Sequence, residues 1–349
     1  MAGADCVRDG DGDVGHRRRV QRHAGAGCGV CARPAGGAMT QVHIACSAKN
    51  AARWIDAFVE GLVAQTHRDW VLWIRDDGST DDTRQRLEAW QRRDPRVAHI
   101  ITGENSLGLS QAFADVLARI PAEARAVATA DADDVWMPHR IERTLEALTD
   151  AERMTAGPVL VHTDLEVVDE QLQRLAPSFW ASQAMHPTPT SLRSLAIQNV
   201  ATGPTLLFNG ALLAHLRTIP AAVTNHDWWI ALVAMVTGRL VAVPECTVWY
   251  RQHGANNTAG ARQESAWRRL RGAWARRAIV RRDVDRMARQ AGALAQAYGA
   301  QLSDADREML TGLAGIAERT GWERRAAIVR WRWLASHGVV RNLGVVLRG

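Results

Sequence analysis

Three carboxylates close an apolar run at residues 128–136, ATADADDVW: Asp131, Asp133 and Asp134. Two carboxylates about 4 Å apart repel by roughly 4 kcal/mol at an effective dielectric near 20. A bound cation, a shared proton or full exposure to water must offset such a cluster. Alternate residues at a strand end point the same way, so Asp131 and Asp133 converge on one point. One or two carboxylates together with a diphosphate make a typical Mg²⁺ or Mn²⁺ site. A solvated acidic loop ahead of a helix starting near Pro138 is the plainer account of the same residues. A second acidic stretch, RDDGSTDDT at 75–83, favours the metal site. Ser79 or Thr80 can cap a following helix, with Asp81 and Asp82 in its first turn. Asp76 and Asp77 precede the turn that Gly78 permits, and capping does not explain them.

Two further stretches carry candidate chemistry. In NHDWWIAL, residues 225–232, Asp227 opens an otherwise apolar helix beside His226. An N-terminal capping role ahead of a core helix is one account. The other is a carboxylate in a partly dry aromatic setting, which raises its pKa and suits a general base, with the flat indoles of Trp228 and Trp229 against a sugar. In WYRQHGANN, residues 249–257, Arg251 could contact a phosphate and His253 could complete a metal shell, although a histidine after a strand is more often structural.

The elements that must position these groups alternate. Strands are expected at 41–47, 70–75, 97–102 and 125–130, and helices at 51–64, 81–91, 110–119 and 138–148. Such alternation with short connections implies a parallel sheet covered by helices. Ligands of such sheets sit beyond the carboxyl ends of the strands, so both acidic clusters should face one crevice. Residues 150–261 are less regular: a strand at 158–163 leading to Asp164, a proline-rich section at 176–190, a loop and strand over 199–208, a helix at 226–237 and a strand pair over 239–250. From 262 onward the chain reads as helical.

Charge is uneven along the 349 residues. The total is +6, with a pI of 9.6, but residues 40–261 carry 19 Lys+Arg against 25 Asp+Glu, while residues 262–349 carry 18 against 8. An acidic body argues against a protein that binds nucleic acid with its main fold, and a basic tail suits an anionic partner such as a membrane surface. Trp267, Leu270, Trp274 and Ala278 form a helical stripe flanked by arginines, as on a helix lying on anionic lipid; packing of that stripe on the enzyme body is the alternative, and RWRWL at 330–334 fits either. The five cysteines suggest a reducing compartment, with a zinc or redox role for Cys28 and Cys31 disfavoured. Residues 1–38, rich in glycine and without apolar periodicity, are expected to be a disordered extension, and no apolar run reaches transmembrane length. The expected location is cytoplasmic, with peripheral contact at the inner face of the plasma membrane.

Together these stretches resemble family 2 glycosyltransferases of the GT-A fold, most closely the bacterial rhamnosyltransferase-like branch. The resemblance rests on LVAQTHRDWVLWIRDDGSTDDT, DADDVWMPHRIERTLEAL, LVHTDLEVVDEQLQRLAPSFW, QNVATGPTLLFN and HDWWIALVAMVTGRLVAVPECTVWYRQHGANN, in family order over residues 41–258. It implies an α/β catalytic domain over 39–261 with a mostly parallel central sheet, a nucleotide-binding half (39–150) and an acceptor half (151–261), followed by the basic helical region 262–349. It also implies metal-dependent, inverting transfer of a sugar from a nucleoside diphosphate to a glycan or lipid-linked acceptor in cell-surface polysaccharide synthesis, with dTDP-rhamnose as a candidate donor. Carried over residue by residue, Asp77 would contact the base or ribose, Asp131 the ribose and diphosphate, and Asp133 the Mg²⁺ or Mn²⁺; His253 would lie near the diphosphate and metal, and Asp227 would be the base. Lys49 stands where the family usually has a tyrosine beside the nucleobase; its stem could cover the base and its charge reach a phosphate. Two other functions compete: a phosphohydrolase using Asp131 as nucleophile, and a degenerate transferase retained as a binding module.

Overall fold

The computed structural model describes residues 40–103, 105–253 and 273–316, with short stretches up to 327. Its centre is a nine-stranded sheet in the order β3-β2-β1-β4-β8-β6-β9-β5, with β7 beside β6. The strands are β1 (Val42–Ala48), β2 (Trp70–Asp76), β3 (His99–Thr102), β4 (Ala126–Asp131), β5 (Val135–Trp136), β6 (Val159–Val168), β7 (Arg174–Ala176), β8 (Leu207–Asn209) and β9 (Arg239–Arg251). The parallel ladders join β3, β2, β1 and β4, and β6 with β9; the short β8, β5 and β7 run antiparallel to their neighbours. The fold is thus α/β with a mostly parallel sheet.

Period-two alternation sends each strand's side chains into two separate cores. Ile44 and Cys46 of β1, and Ala126 and Ala128 of β4, enter one core with α1 (Ile55–Val63), α2 (Thr83–Arg93) and α4 (Arg140–Met154). Ala45 and Val127 enter the other, with Phe113, Val116 and Leu117 of α3 (Leu109–Arg119). The short helices α5 (Phe179–Ser182), α6 (Leu192–Ile197) and α7 (Gly210–His215) fill the stretch read as irregular, ahead of α8 (His226–Thr237). Helix α8 is apolar nearly all round, and Trp228 to Ala234 are all buried, as a core helix requires.

Two expectations change. The strand pair over 239–250 is one thirteen-residue strand, β9. Its register against β6 jumps from Thr163–Val243 to Asp164–Cys246, so Pro244 and Glu245 are extruded where proline's missing N–H would break the ladder. The boundary at 261 does not separate two cores. Val284, Ala288, Ala291 and Leu294 of the helix Ala273–Tyr298, and Met309, Leu310 and Leu313 of the helix Asp304–Ala314, lie in the same cluster as Trp228 and Trp229. The side chains of the stripe from Trp267 to Ala278, the RWRWL stretch, and the N-terminal extension with its cysteines lie outside the described residues. Among those described, no helix is long and apolar enough to cross a membrane.

Arg140, at the start of α4, is fully buried with its guanidinium 3.6 Å over the Trp136 ring. It donates to the carbonyls of Pro204 (2.6 Å), Leu206 (3.2 Å) and Thr129 (3.3 Å). One side chain therefore clamps the 3₁₀ turn Gly203–Thr205 to β4. Burial lowers its pKa to about 9, which still leaves it a cation at neutral pH. Arg140→Met removes those donors from a dry site, and we expect a loss of about 2–4 kcal/mol, measured by urea unfolding.

Candidate active site

A cavity of about 640 Å³ opens beyond the carboxyl ends of β1, β2 and β4, where a doubly wound sheet places its ligands. It is completed by Thr202 to Pro204 and by the first residues of α8. Of the residues predicted from the sequence, Lys49, Asp77, Asp131, Asp133, Asp227 and His253 line it. Both acidic clusters therefore reach one crevice.

The rim at β1 and β2 is laced by side chains. Asn50, in the left-handed region at φ 51°, accepts from the Thr80 amide at 2.8 Å, and its own amide donates to Ser79 Oγ at 2.9 Å. Ala51 N donates to Thr83 Oγ1 at 2.8 Å, and Ala52 N to Asp81 Oδ2 at 3.1 Å. Ser79 and Thr80, read as helix caps, instead tie the two loops together; Asp81 accepts from the Thr83 amide at 3.0 Å. Gly78, at φ 74°, makes the turn.

Asp77 is 2% exposed and accepts four hydrogen bonds: from Ser106 Oγ (2.6 Å), Leu107 N (2.8 Å), Gly108 N (3.1 Å) and Arg75 Nε (3.1 Å). Burial alone would raise its pKa, but these donors outweigh burial and hold it below the usual 3.8. Four donors fill a carboxylate's acceptor sites, so Asp77 here organises the loop 105–108. Lys49 joins the same chain, donating to Ser106 Oγ at 2.9 Å. Ser106 was not evident from sequence, because only folding brings it to β2.

At the end of β4 the two alternate carboxylates line the same cavity but meet different partners. Asp133 Oδ2 is 2.9 Å from His253 Nε2. Asp131 turns toward Gly203: a Cβ built there would lie 3.6 and 3.7 Å from its two oxygens. Its pKa is pushed well above 3.8 by burial, then by Asp133 and Asp227. Asp134 is fully buried, accepts from Arg251 N at 2.9 Å, and is likewise raised by burial and its acidic neighbours. His253 stacks on Trp54 with ring centroids 5.2 Å apart, and the Arg251 guanidinium sits 4.5 Å over the same indole. Trp54 is a site residue that sequence did not single out; as a tryptophan ahead of an amphipathic helix it reads as core.

Asp227, at the first turn of α8, accepts from its neighbour Trp228 N at 2.7 Å, and from the Gly203 amide and the Asn199 side chain. Burial raises its pKa to about 6, against those bonds. The preceding residue, Asn225, gives its carbonyl to Gln290 Nε2 at 2.8 Å, from the fully buried Gln290 on the helix Ala273–Tyr298.

Three expectations are corrected. Trp228 and Trp229 are 7% and 1% exposed and belong to the core; Trp228 Nε1 donates to Leu195 O at 2.7 Å. Their apolar surface is spent on packing α8, not on a sugar. Arg251 is 4% exposed, and its guanidinium donates to the carbonyls of Asp133 (2.9 Å) and Glu170 (2.7 Å), so it shapes the acidic turn instead of meeting a phosphate. Among the described residues, no three His, Cys, Asp or Glu converge to hold an ion. Asp133 and His253 form a two-group oxygen and nitrogen donor set, which leaves most of an octahedral shell to substrate oxygens and water.

The class is defined by this sheet with its acidic crevice. The structure aligns with that of Staphylococcus aureus TarS in complex with UDP-GlcNAc at a TM-score of 0.54, over 89% of this chain and 85% of that one, at 16% identity; the fold is GT-A. Residues 44–209 match the model of glycosyl transferase family 2, and the chain belongs to the family 2 glycosyltransferases through that region. It is similar to an uncharacterized glycosyltransferase of Nostoc (29% identical over 63% of this chain and 67% of the relative). It also resembles TuaG of Bacillus subtilis, whose name places it in teichuronic acid biosynthesis (36% identical over 28% of this chain and 37% of that protein). A third relative is the Escherichia coli UDP-Glc:α-D-GlcNAc-diphosphoundecaprenol β-1,3-glucosyltransferase WfgD (29% over 28% and 37%). The D-x-D ends the fourth strand and not the first, unlike the phosphohydrolase arrangement.

The raised pKa of Asp227 carries a stability consequence. Between its unfolded value near 3.8 and its folded value about 6, the native state holds more protons, so stability falls as pH rises through that window. Asp227→Asn removes the cost. Its urea midpoint should exceed wild type by about 1–3 kcal/mol at pH 8, and the gap should shrink towards pH 4.

Proposed function

We propose that the protein transfers a sugar from a nucleoside diphosphate to a hydroxyl of a glycan or lipid-linked acceptor, with inversion at the anomeric carbon, in the synthesis of a cell-surface polysaccharide. The observation that carries this is Asp227: a carboxylate with a pKa of about 6 lining the same cavity as the Asp133–His253 pair. A general base works best with a pKa near the operating pH. Asp227 takes the acceptor's proton as the oxygen attacks, and Gly203 N and Asn199 hold the carboxylate in place. Lys49, on the β1 side, supplies a cation for the nucleotide or its phosphates. Asp77 keeps the loop 105–108 in place at that end.

Asp133 and His253 would hold a Mg²⁺ or Mn²⁺; that ion would stabilise negative charge on the departing diphosphate. The relatives' names support the acceptor class: the Escherichia coli enzyme acts on a diphosphoundecaprenol-linked sugar and the Bacillus protein is named for a wall polymer. The complex of TarS with UDP-GlcNAc supports the donor class; dTDP-rhamnose is a candidate among such donors. Contact with an anionic membrane through residues 262–289 would bring a lipid-linked acceptor to the cavity.

The test is a screen of nucleoside-diphosphate sugars with Mn²⁺ or Mg²⁺, reading release of nucleoside diphosphate. Asp227→Asn should reduce turnover about 10²- to 10⁴-fold while nucleotide binding persists. The wild-type rate should rise with pH to a plateau above an apparent pKa of about 6. Near wild-type turnover in Asp227→Asn removes the base assignment, and metal-assisted donor binding without turnover in the wild type indicates a binding module instead.

A further inference from the structure

His226 has no use in the mechanism above, yet it lines the cavity beside the base. It is 3% exposed and stacked flat on Phe113, with centroids 3.7 Å apart and planes within 12°. Both ring nitrogens are buried and neither has a hydrogen-bond partner. Burial lowers its pKa to about 3, so the ring is neutral at physiological pH and carries one donor and one acceptor. A buried polar group left bare costs about 1–3 kcal/mol, a cost that a chain retains where something else supplies the partner.

The partner's place is marked by Gly203. A Cβ added there would lie 3.4 Å from His226 Nε2 and 3.6 Å from Asp131 Oδ2. The missing side chain therefore leaves a notch with an imidazole nitrogen on one side and a carboxylate on the other. Among the described residues no group donates a hydrogen bond to the Asp131 carboxylate. Arg140 and the Thr129 hydroxyl, which donates to Gly203 O, fix the turn that carries the notch.

We infer that this notch between His226, Asp131 and Gly203 is a specificity subsite that reads one hydroxyl of the transferred sugar. This rests on the transferase function proposed above. A hydroxyl both accepts and donates, so it satisfies a neutral imidazole N–H and a carboxylate at once without bringing charge. A phosphate would meet the carboxylate with like charge, and a methyl group would leave both sides bare. Position selects the sugar as well. Asp131 is close enough to feel the charges of both Asp133 and Asp227, so the notch lies between the diphosphate end and the base, where in-line transfer puts the sugar. A site built to hydrogen-bond a hydroxyl discriminates strongly against analogues that lack it.

The experiment uses the full chain with Mn²⁺ and compares calorimetric affinities for UDP, dTDP and GDP with those for UDP-glucose, UDP-galactose, UDP-GlcNAc, dTDP-rhamnose and GDP-mannose. For the preferred donor, the sugar should tighten binding relative to its own nucleoside diphosphate. His226→Phe, which keeps the stack on Phe113, and Gly203→Ala, which fills the notch at ordinary contact distances, should each erase about tenfold of that increment. Their affinity for the bare nucleoside diphosphate should stay within about twofold of wild type, which also reports that they fold. His226→Gln, which keeps a donor and an acceptor, should recover part of the loss. An unchanged sugar increment in His226→Phe overturns the subsite and leaves the transferase function standing. Absence of any nucleoside-diphosphate binding in the wild type overturns both.

Discussion

The crowding of like charge at the end of β4 is the constraint around which the rest of this molecule is arranged. Asp131, Asp133 and Asp134 follow one another at the sheet's carboxyl edge, and Asp227 comes from across the cavity. Burial would make four simultaneous negative charges there very costly. Each is relieved differently. Asp134 is sealed in protein and its pKa is driven far up, so it holds its proton and accepts from Arg251 N. Asp133 meets His253. Asp131 and Asp227 are both raised, Asp227 to about 6. The cluster thus keeps proton-bearing and proton-accepting carboxyl groups side by side, which acid–base chemistry near neutrality needs.

Two buried guanidinium groups hold the loops that face this cluster. Arg140 fixes the turn at Gly203 through backbone carbonyls. Arg75, 5% exposed, bonds Asp77 at 3.1 Å, Asp115 at 2.9 Å and Asn105 O at 3.3 Å. A planar, always-charged group with several fixed donors suits this task better than a lysine would. The walls of the cavity are therefore set by side chains that do not themselves enter it.

Much of the fold was legible because period-two and helical patterns alternate cleanly through residue 154, and the strand-end rule then placed both acidic clusters in one crevice. The site was legible where chemistry is carried by residue type in a short stretch: Asp131, Asp133, Asp227 and His253 all line the cavity. It was illegible where one letter has two uses. The paired tryptophans after Asp227 look sugar-facing in a string, but a helix apolar on every side has no free face to offer them. Arg251 looks like a phosphate ligand, but a strand end beside a tight acidic turn leaves carbonyls that need donors. Ser106, Trp54 and Gly203 are distant in sequence from the motifs they complete, and only the tertiary fold shows their proximity. The single strand β9 was split in two because Pro244 reads as a break, whereas a bulge absorbs it.

The hydrogen bond from Gln290 to the Asn225 carbonyl ties catalysis to a part of the chain outside the family match. The helix Ala273–Tyr298 is about 39 Å long at 1.5 Å per residue and meets the loop one residue before His226. It is a lever arm with its short end at the base. Whatever docks along its long end, whether lipid, glycan or another protein, can pull on the orientation of Asp227 without entering the cavity. The tail then becomes a handle through which the surroundings set the pace of the enzyme.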